Sequence, residues 1–332
     1  MRPPPGLAYR VADAGNPGSG PVAKYLTRRL ILIIPTLLGI LTVVFAVIHL
    51  APGSPAEILL GDYASPEAVA VLEAQLGLNT PVWQQYALYV WKVMQGDFGR
   101  SFATNRDVLT EVVKHIPYTL ELAGAAVLIS ILIGIPAGAI AAVKGGGIDR
   151  VSMILALLLA SMPLFWLGIL LMLLFSIELG WFPLIGGGDP YSWSAIRYLV
   201  LPAIALSGTP TAFLARMTRS SMLEIVRKDF IRVAYAKGLK KRVIIFKHVL
   251  KNAMVPILTV IGLNMGQLLG GGVVIEIVFA RPGLGKLLVD SIFARDYMQV
   301  QGTVVVIACL FVLINLAVDM AYSFFDPRIR YR

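Results

Sequence analysis

Six apolar runs, each without Asp, Glu, Lys or Arg, divide the chain at residues 30–56, 122–143, 151–177, 198–215, 252–275 and 297–318. A helix rising about 1.5 Å per residue crosses a hydrocarbon core of about 30 Å in about 20 residues. The runs are continuous rather than alternating, which selects helices over the strands of a barrel. The pattern predicts an all-α polytopic membrane protein with six transmembrane helices. The run at 198–215 is the weakest, being the shortest and holding Pro202 and Pro210.

Polar positions between the runs set the orientation. Of 29 Lys and Arg, 21 fall in segments on the same side as the N-terminus and 8 on the other, so both termini are expected in the cytoplasm. Residues 1–23, rich in Pro and Gly, read as a disordered cytoplasmic tail, followed by one membrane domain at 24–332. The first run is longer than the apolar core of a cleavable signal, which is about 7–15 residues, and is expected to stay as a helix.

Two segments between the runs carry more than charge. In the outer insertion, 57–115, Ser65-Pro66 reads as an N-cap with proline at the first helical position, and Gly77 as a stop. Asn79-Thr80-Pro81 opens a second short helix, with Trp83, Tyr86, Val90 and Val93 or Met94 near one face and Gly96 at its end. Their aromatic faces suit the bilayer interface, a docking surface or an external lid.

The inner segment, 216–252, has 11 basic and 2 acidic residues between Arg216 and Lys251, which is +9 of the net +10. Met222, Val226, Phe230 and Val233 recur at helical spacing and Gly238 stands as a helix stop. Ala234, Ala236 and Gly238 leave room for another chain to approach. Lys240-Lys241-Arg242 then leads into a second helical run. Charge alone fits anionic lipid as well as a partner's groove.

Composition narrows the function. The chain is 57% hydrophobic and 14% charged, against about 25% charged in soluble domains. Cys309 stands alone, and His49, His115 and His248 lack metal-ligand spacing. No G-x-S-x-G occurs. The nearest approach to a P-loop, residues 280–287, has Ala280 for the first Gly and Leu287 for Ser/Thr. Titratable groups such as Glu121, Glu276 and Asp319 fall only at run ends, which disfavours ion coupling. No enzyme is expected, and energy for transport must come from elsewhere. A nucleic-acid role is disfavoured, because the basic loop lacks exposed aromatic interleaving.

Asp229-Phe230-Ile231-Arg232-Val233-Ala234-Tyr235-Ala236-Lys237-Gly238, followed by His248-Val249-Leu250-Lys251-Asn252-Ala253, resembles the cytoplasmic EAA loop of ATP-binding-cassette importer permeases. Arg232, Val233 and Ala234 occupy the Glu-Ala-Ala positions, Gly238 and Leu250 match, His248 stands at Ile and Lys251 replaces Pro. The Arg-x-Ala-x-Ala-Lys-Gly-Leu form is similar to the peptide-importer branch. So are Gly96-Asp97-Phe98-Gly99-Arg100-Ser101, residues 276–286 with Arg295-Asp296-Tyr297, and Asp326-Pro327-Arg328. The long outer loop is similar to that of B-type permease subunits of dipeptide/oligopeptide importers.

The resemblance covers roughly residues 24–332 and implies a type I importer permease fold in the bacterial cytoplasmic (inner) membrane. Its implied partners are a second homologous permease, two cytosolic ATPases that hold ATP and Mg, an extracytoplasmic solute-binding protein and membrane lipid. Asp229, Arg232, Val233, Ala234, Ala236, Lys237, Gly238, Leu239, His248 and Leu250 would couple to an ATPase. Asp97, Arg100, Arg281, Arg295 and Asp296 would dock the binding protein. Pro282-Gly283 and Gly285 are read as turns of an outer re-entrant segment. The polar and small positions Ser161, Met162, Asn264, Gln267 and Gly271 are candidates for the pathway or gate, or else for helix packing. The same scaffold carries nickel, glutathione, haem or other small solutes. From another class, a passive channel or membrane scaffold stays open.

Overall fold

The computed structural model of the protein describes residues 21–50, 55–60, 65–76, 79–189 and 192–325. The expected tail as far as residue 20, the Gly77 stop and the Asp326-Pro327-Arg328 block lie outside the described residues. Those described form helices without β-strands, in the order α1 (Pro21–Leu50), α2 (Pro55–Leu60), α3 (Pro66–Leu76), α4 (Val82–Met94), α5 (Val108–Lys144), α6 (Gly146–Ser161) and α7 (Leu164–Leu171). There follow α8 (Trp193–Val226), α9 (Asp229–Ala236), α10 (Lys241–Val243), α11 (Lys251–Val278), α12 (Leu284–Phe293) and α13 (Tyr297–Phe325). A π-helical stretch, Met172–Glu178, prolongs α7, and another, Ile244–Leu250, joins α10 to α11.

Among the described residues, four helices are long and apolar enough to cross a membrane, and the bent pair α6–α7 makes a fifth candidate. The apolar stretch described in α1, Ile31–Val47, is shorter. The third expected run is not straight: its two halves meet at 104°. Met162 is extended (φ −76°, ψ 129°) because Pro163 bars the helical conformation in the residue before it. Pro202 and Pro210, in contrast, sit inside an unbroken α8, whose start Ser192 caps by accepting a hydrogen bond from the Ala195 amide. The weakest run is thus the core helix of the molecule.

Helices α5 and α8 form the central contact. Buried positions Thr119, Leu122, Ala126, Ser130, Gly134, Gly138 and Ala141 make a stripe at three- and four-residue spacing along α5. A β-carbon on Gly138 would lie 2.3 Å from the Ala215 carbonyl oxygen, and one on Gly134 would lie 2.8 Å from that of Thr211. The two backbones touch there, the packing that a small-xxx-small stripe permits.

Candidate functional site

At the basic end, α8 stops at Val226 and Lys228 turns the chain into the extended conformation (φ −72°, ψ 147°) before α9 begins. The break divides the apolar series that spacing alone placed on one face. Met222 is buried in the core, whereas Phe230 and Val233 are exposed beyond it. On α9, Ile231 and Ala234 join the cluster of Leu214, Met222, Ile244 and Val249. Phe230, Val233, Tyr235 and Leu239 remain exposed, along with Asp229, Arg232, Ala236, Lys237 and Gly238.

Gly238 ends α9 with φ 74°. Its amide donates to Tyr235 O (2.9 Å) and that of Leu239 to Ala234 O (3.3 Å), a left-handed helix stop. A β-carbon there would meet nothing within 4 Å, so glycine serves the backbone angle rather than close approach. Ala234 likewise faces inward and offers no surface to a partner. His248 and Leu250 are half-buried behind α9. The Asp229–Arg232 pair, 3.4 Å apart and largely exposed, contributes little to stability. Arg219 pairs bidentately with Asp149, tying α8 to the start of α6. Phe230 and Val233, one turn apart, make an exposed apolar patch, with Tyr235 on the opposite flank of the buried stripe. Neither Phe230 nor Tyr235 was among the expected coupling residues, although Phe230 stood in the apolar series with Val233.

At the opposite end, Glu276 is fully buried near the end of α11. Its carboxylate accepts from the Thr119 hydroxyl (2.7 Å) and from the amides of Gly285 (2.7 Å) and Lys286 (3.1 Å), while Thr119 Oγ1 accepts from the Leu284 amide (2.8 Å). Unpaired amides and the helix dipole make a helix N-terminus an anion site. The P-loop-like stretch thus cradles the chain's own carboxylate. Gly283 is required, since a β-carbon would fall 2.1 Å from Glu276 Oε1, and so is Gly285, where one would fall 2.7 Å from Val273 Cα.

Replacing Glu276 by Ala leaves amides of α12 buried without an acceptor, at about 1–3 kcal/mol each. Thermal unfolding of the detergent-purified chain should show a lower midpoint, with Glu276→Gln recovering part of the loss.

Two of the expected docking residues are internal. Arg281 is fully buried, with Nη2 2.7 Å from Glu121 Oε2 and its guanidinium 5.4 Å over the Tyr118 ring. Asp296, also buried, accepts from the Ser101 hydroxyl and the Phe102, Ala103 and Gln299 amides. It thereby joins the Gly96–Ser101 block to the Arg295–Tyr297 block across 195 residues of sequence and caps α13. Arg281 and Asp296 are thus buried rather than on the exposed surface, and they join separate elements at this end of the fold. Asp97 accepts from the Gly99 amide (2.9 Å), Arg100 bridges to Asp107 in antiparallel fashion, and Arg295 is exposed. Asp107 caps α5, and hydrogen bonds from Thr110 hold its carboxyl below the ordinary aspartate range.

The pathway candidates are dispersed. Ser161 and Met162 flank the 104° bend. Asn264 is buried in α11 with Nδ2 unpaired, whereas Gly271 packs against Leu164 and Leu206. Gln267 lies on α11 and its side chain is outside the described set. No group of three or more His, Cys, Asp or Glu among the described residues is placed to hold a metal ion.

Residues 134–331 match the family described as binding-protein-dependent transport system inner membrane component, and residues 22–123 match its N-terminal counterpart. The dipeptide transport system permease protein DppB of Alkalihalophilus pseudofirmus is 44% identical over 330 residues, covering 92% of this chain and 99% of the relative. The glutathione transport system permease protein GsiC of Salmonella choleraesuis is 41% identical over 310 residues, covering 93% and 99%. In fold, the chain is similar to one from the inward-facing MetNI methionine ABC transporter, with a TM-score of 0.54 and 21% identity over 65% of this chain and 96% of that one.

Proposed function

The chain belongs to the family of binding-protein-dependent transport system inner membrane components, and on that premise we propose that it forms half of the translocation pore of an ATP-driven dipeptide/oligopeptide importer. Its other half is a second homologous permease. Two cytosolic ATPases supply ATP hydrolysis with Mg, and an extracytoplasmic binding protein delivers solute. The chain lies in the bacterial cytoplasmic membrane with both termini inside, and α1 provides a sixth crossing beside the five candidates.

The observation that carries this reading is α9: a short helix beyond the membrane-length α8, buried on one side through Ile231 and Ala234, with Phe230 and Val233, one turn apart, as an exposed apolar patch beside it. A helix seated in a groove needs such an exposed apolar patch, and the surrounding cations suit an acidic rim. Motion of a seated α9 reaches the core through its contacts with Met222 and Ile244. Selection by the binding protein would leave little for the pore to recognise, in keeping with the dispersed polar positions.

The substrate class is tested by purifying the assembled complex and identifying what its binding protein retains. Dipeptides or short peptides are expected. Retained glutathione, nickel or haem would keep the mechanism and change the cargo. A chain that purifies without any ATPase would support the passive channel instead.

A further inference from the structure

We propose that α4 is not an extramembrane helix but lies within the leaflet around the C-terminal half of α1, with lipid acyl chains as the occupant of its free face. The contacts between the two helices set its depth. Tyr86 Oη is 2.7 Å from Thr42 Oγ1, the Phe45 ring lies 5.3 Å from that of Tyr86 and 5.8 Å from that of Tyr89, and His49 Nε2 is 3.0 Å from Gln85 Oε1. Thr42 and Phe45 belong to the apolar stretch Ile31–Val47. At about 1.5 Å per residue, Thr42 stands about 12 Å below the end of α1 at Leu50. A helix standing clear of the bilayer could not make these contacts.

The face turned away from α1 is apolar as well. Trp83, Ala87, Trp91 and Met94 follow one another at four-, four- and three-residue spacing and form a stripe. Trp83 is 69% exposed, Trp91 59% and Met94 73%, and Leu88 beside them is also exposed. Water around this stripe would be costly. Acyl chains are favourable, and the indole N–H groups suit the boundary with the headgroups. Lys92, the helix's single charged residue, is on a flank, where its long stem can carry the ammonium out to headgroup level. The free face continues the lipid-facing surface of α1, where Val43 and Val47 are exposed. A binding protein seated on this stripe would need α4 above the membrane, which Thr42 and Phe45 forbid. The helix therefore acts as a lateral strut that fixes the depth and tilt of α1.

The test uses the full chain in nanodiscs of phosphatidylcholine with bromine on the acyl chains, and variants retaining only Trp83 or only Trp91, the other tryptophans being Phe. Both should be quenched several-fold more strongly by acyl-chain bromine than by aqueous iodide. Stronger quenching by iodide overturns the proposal. So does protection from both quenchers, because it would mean that protein covers the stripe. The replacements by Phe keep the apolar surface. A cysteine introduced at Ala87 in a chain carrying Cys309→Ser gives a second readout without tryptophan: it should resist a membrane-impermeant maleimide and react with a permeant one, and equal reaction with both would refute burial in lipid.

Discussion

Gly138→Leu should abolish accumulation of the chain in the membrane, and Gly134→Leu should do so to a smaller extent. A β-carbon at 138 alone would lie 2.3 Å from the Ala215 carbonyl oxygen and 2.7 Å from Thr218 Cβ. These neighbours are backbone and a fully buried side chain, neither of which can swing away. Overpacking a core costs about 1–3 kcal/mol where side chains can shift. Here α5 and α8 must separate along their central contact, so the cost is expected to exceed that range. Ser130, whose hydroxyl hydrogen-bonds Ala126 O at 2.7 Å and reaches Ser207 O at 3.4 Å, would lose its interhelical partner as well. Immunoblotting of membranes checks the outcome, with Gly147→Leu as control, since a β-carbon there meets nothing within 4 Å. A Gly138→Leu chain present at the control's level would show that the helices do not touch.

Phe230→Asp together with Val233→Asp should reduce peptide uptake to background while leaving the amount of chain in the membrane unchanged. Both side chains are about half exposed and contribute little to the core, so their loss to folding is small. Facing a partner's groove, each carboxylate would be desolvated without a counter-charge, which costs several kcal/mol. The core-facing counterpart separates the two effects: Ile231→Asp, at a buried position, should lower the amount of chain itself. If the double variant assembled and transported normally, α9 would not be the port for energy.

How far the sequence could be read depended on whether a feature was local. Continuous charge-free runs marked the long helices, and Gly238 announced the end of α9 because a left-handed stop is written in one residue. The start of α5 was not legible from charge. Glu111, Lys114 and Glu121 interrupt the apolar pattern, yet the helix begins at Val108, since Glu111 meets Arg106 and Lys114, and Glu121 meets Arg281. Charges excluded from a run defined by hydropathy are admitted to a helix that pairs them.

Proline was equally ambiguous. Pro163 bends its run by 104°, while Pro202 and Pro210 leave α8 continuous, and tertiary packing decides between these outcomes. At the end opposite the basic loop, the motifs around Glu276 and Asp296 were visible as motifs but not as neighbours. Asp296 binds the Phe102 and Ala103 amides and Glu276 the Thr119 hydroxyl, all distant in sequence, so Arg281 and Asp296, which looked available for docking, proved to be internal. The Gly134–Gly138 pair, which the charge-free runs did not single out, carries the close backbone contact between α5 and α8. Its small-residue spacing, rather than its hydropathy, held that information.

The central claim, that solute moves through this chain by energy delivered at α9, is tested most directly in liposomes holding the purified complex. ATP is enclosed within, and binding protein loaded with labelled dipeptide is added outside. Accumulation of label above the external concentration only with hydrolysable ATP, and its loss in the Phe230→Asp/Val233→Asp variant, is the expected result. Label that equilibrates without ATP, at the same rate in both chains, would contradict the account.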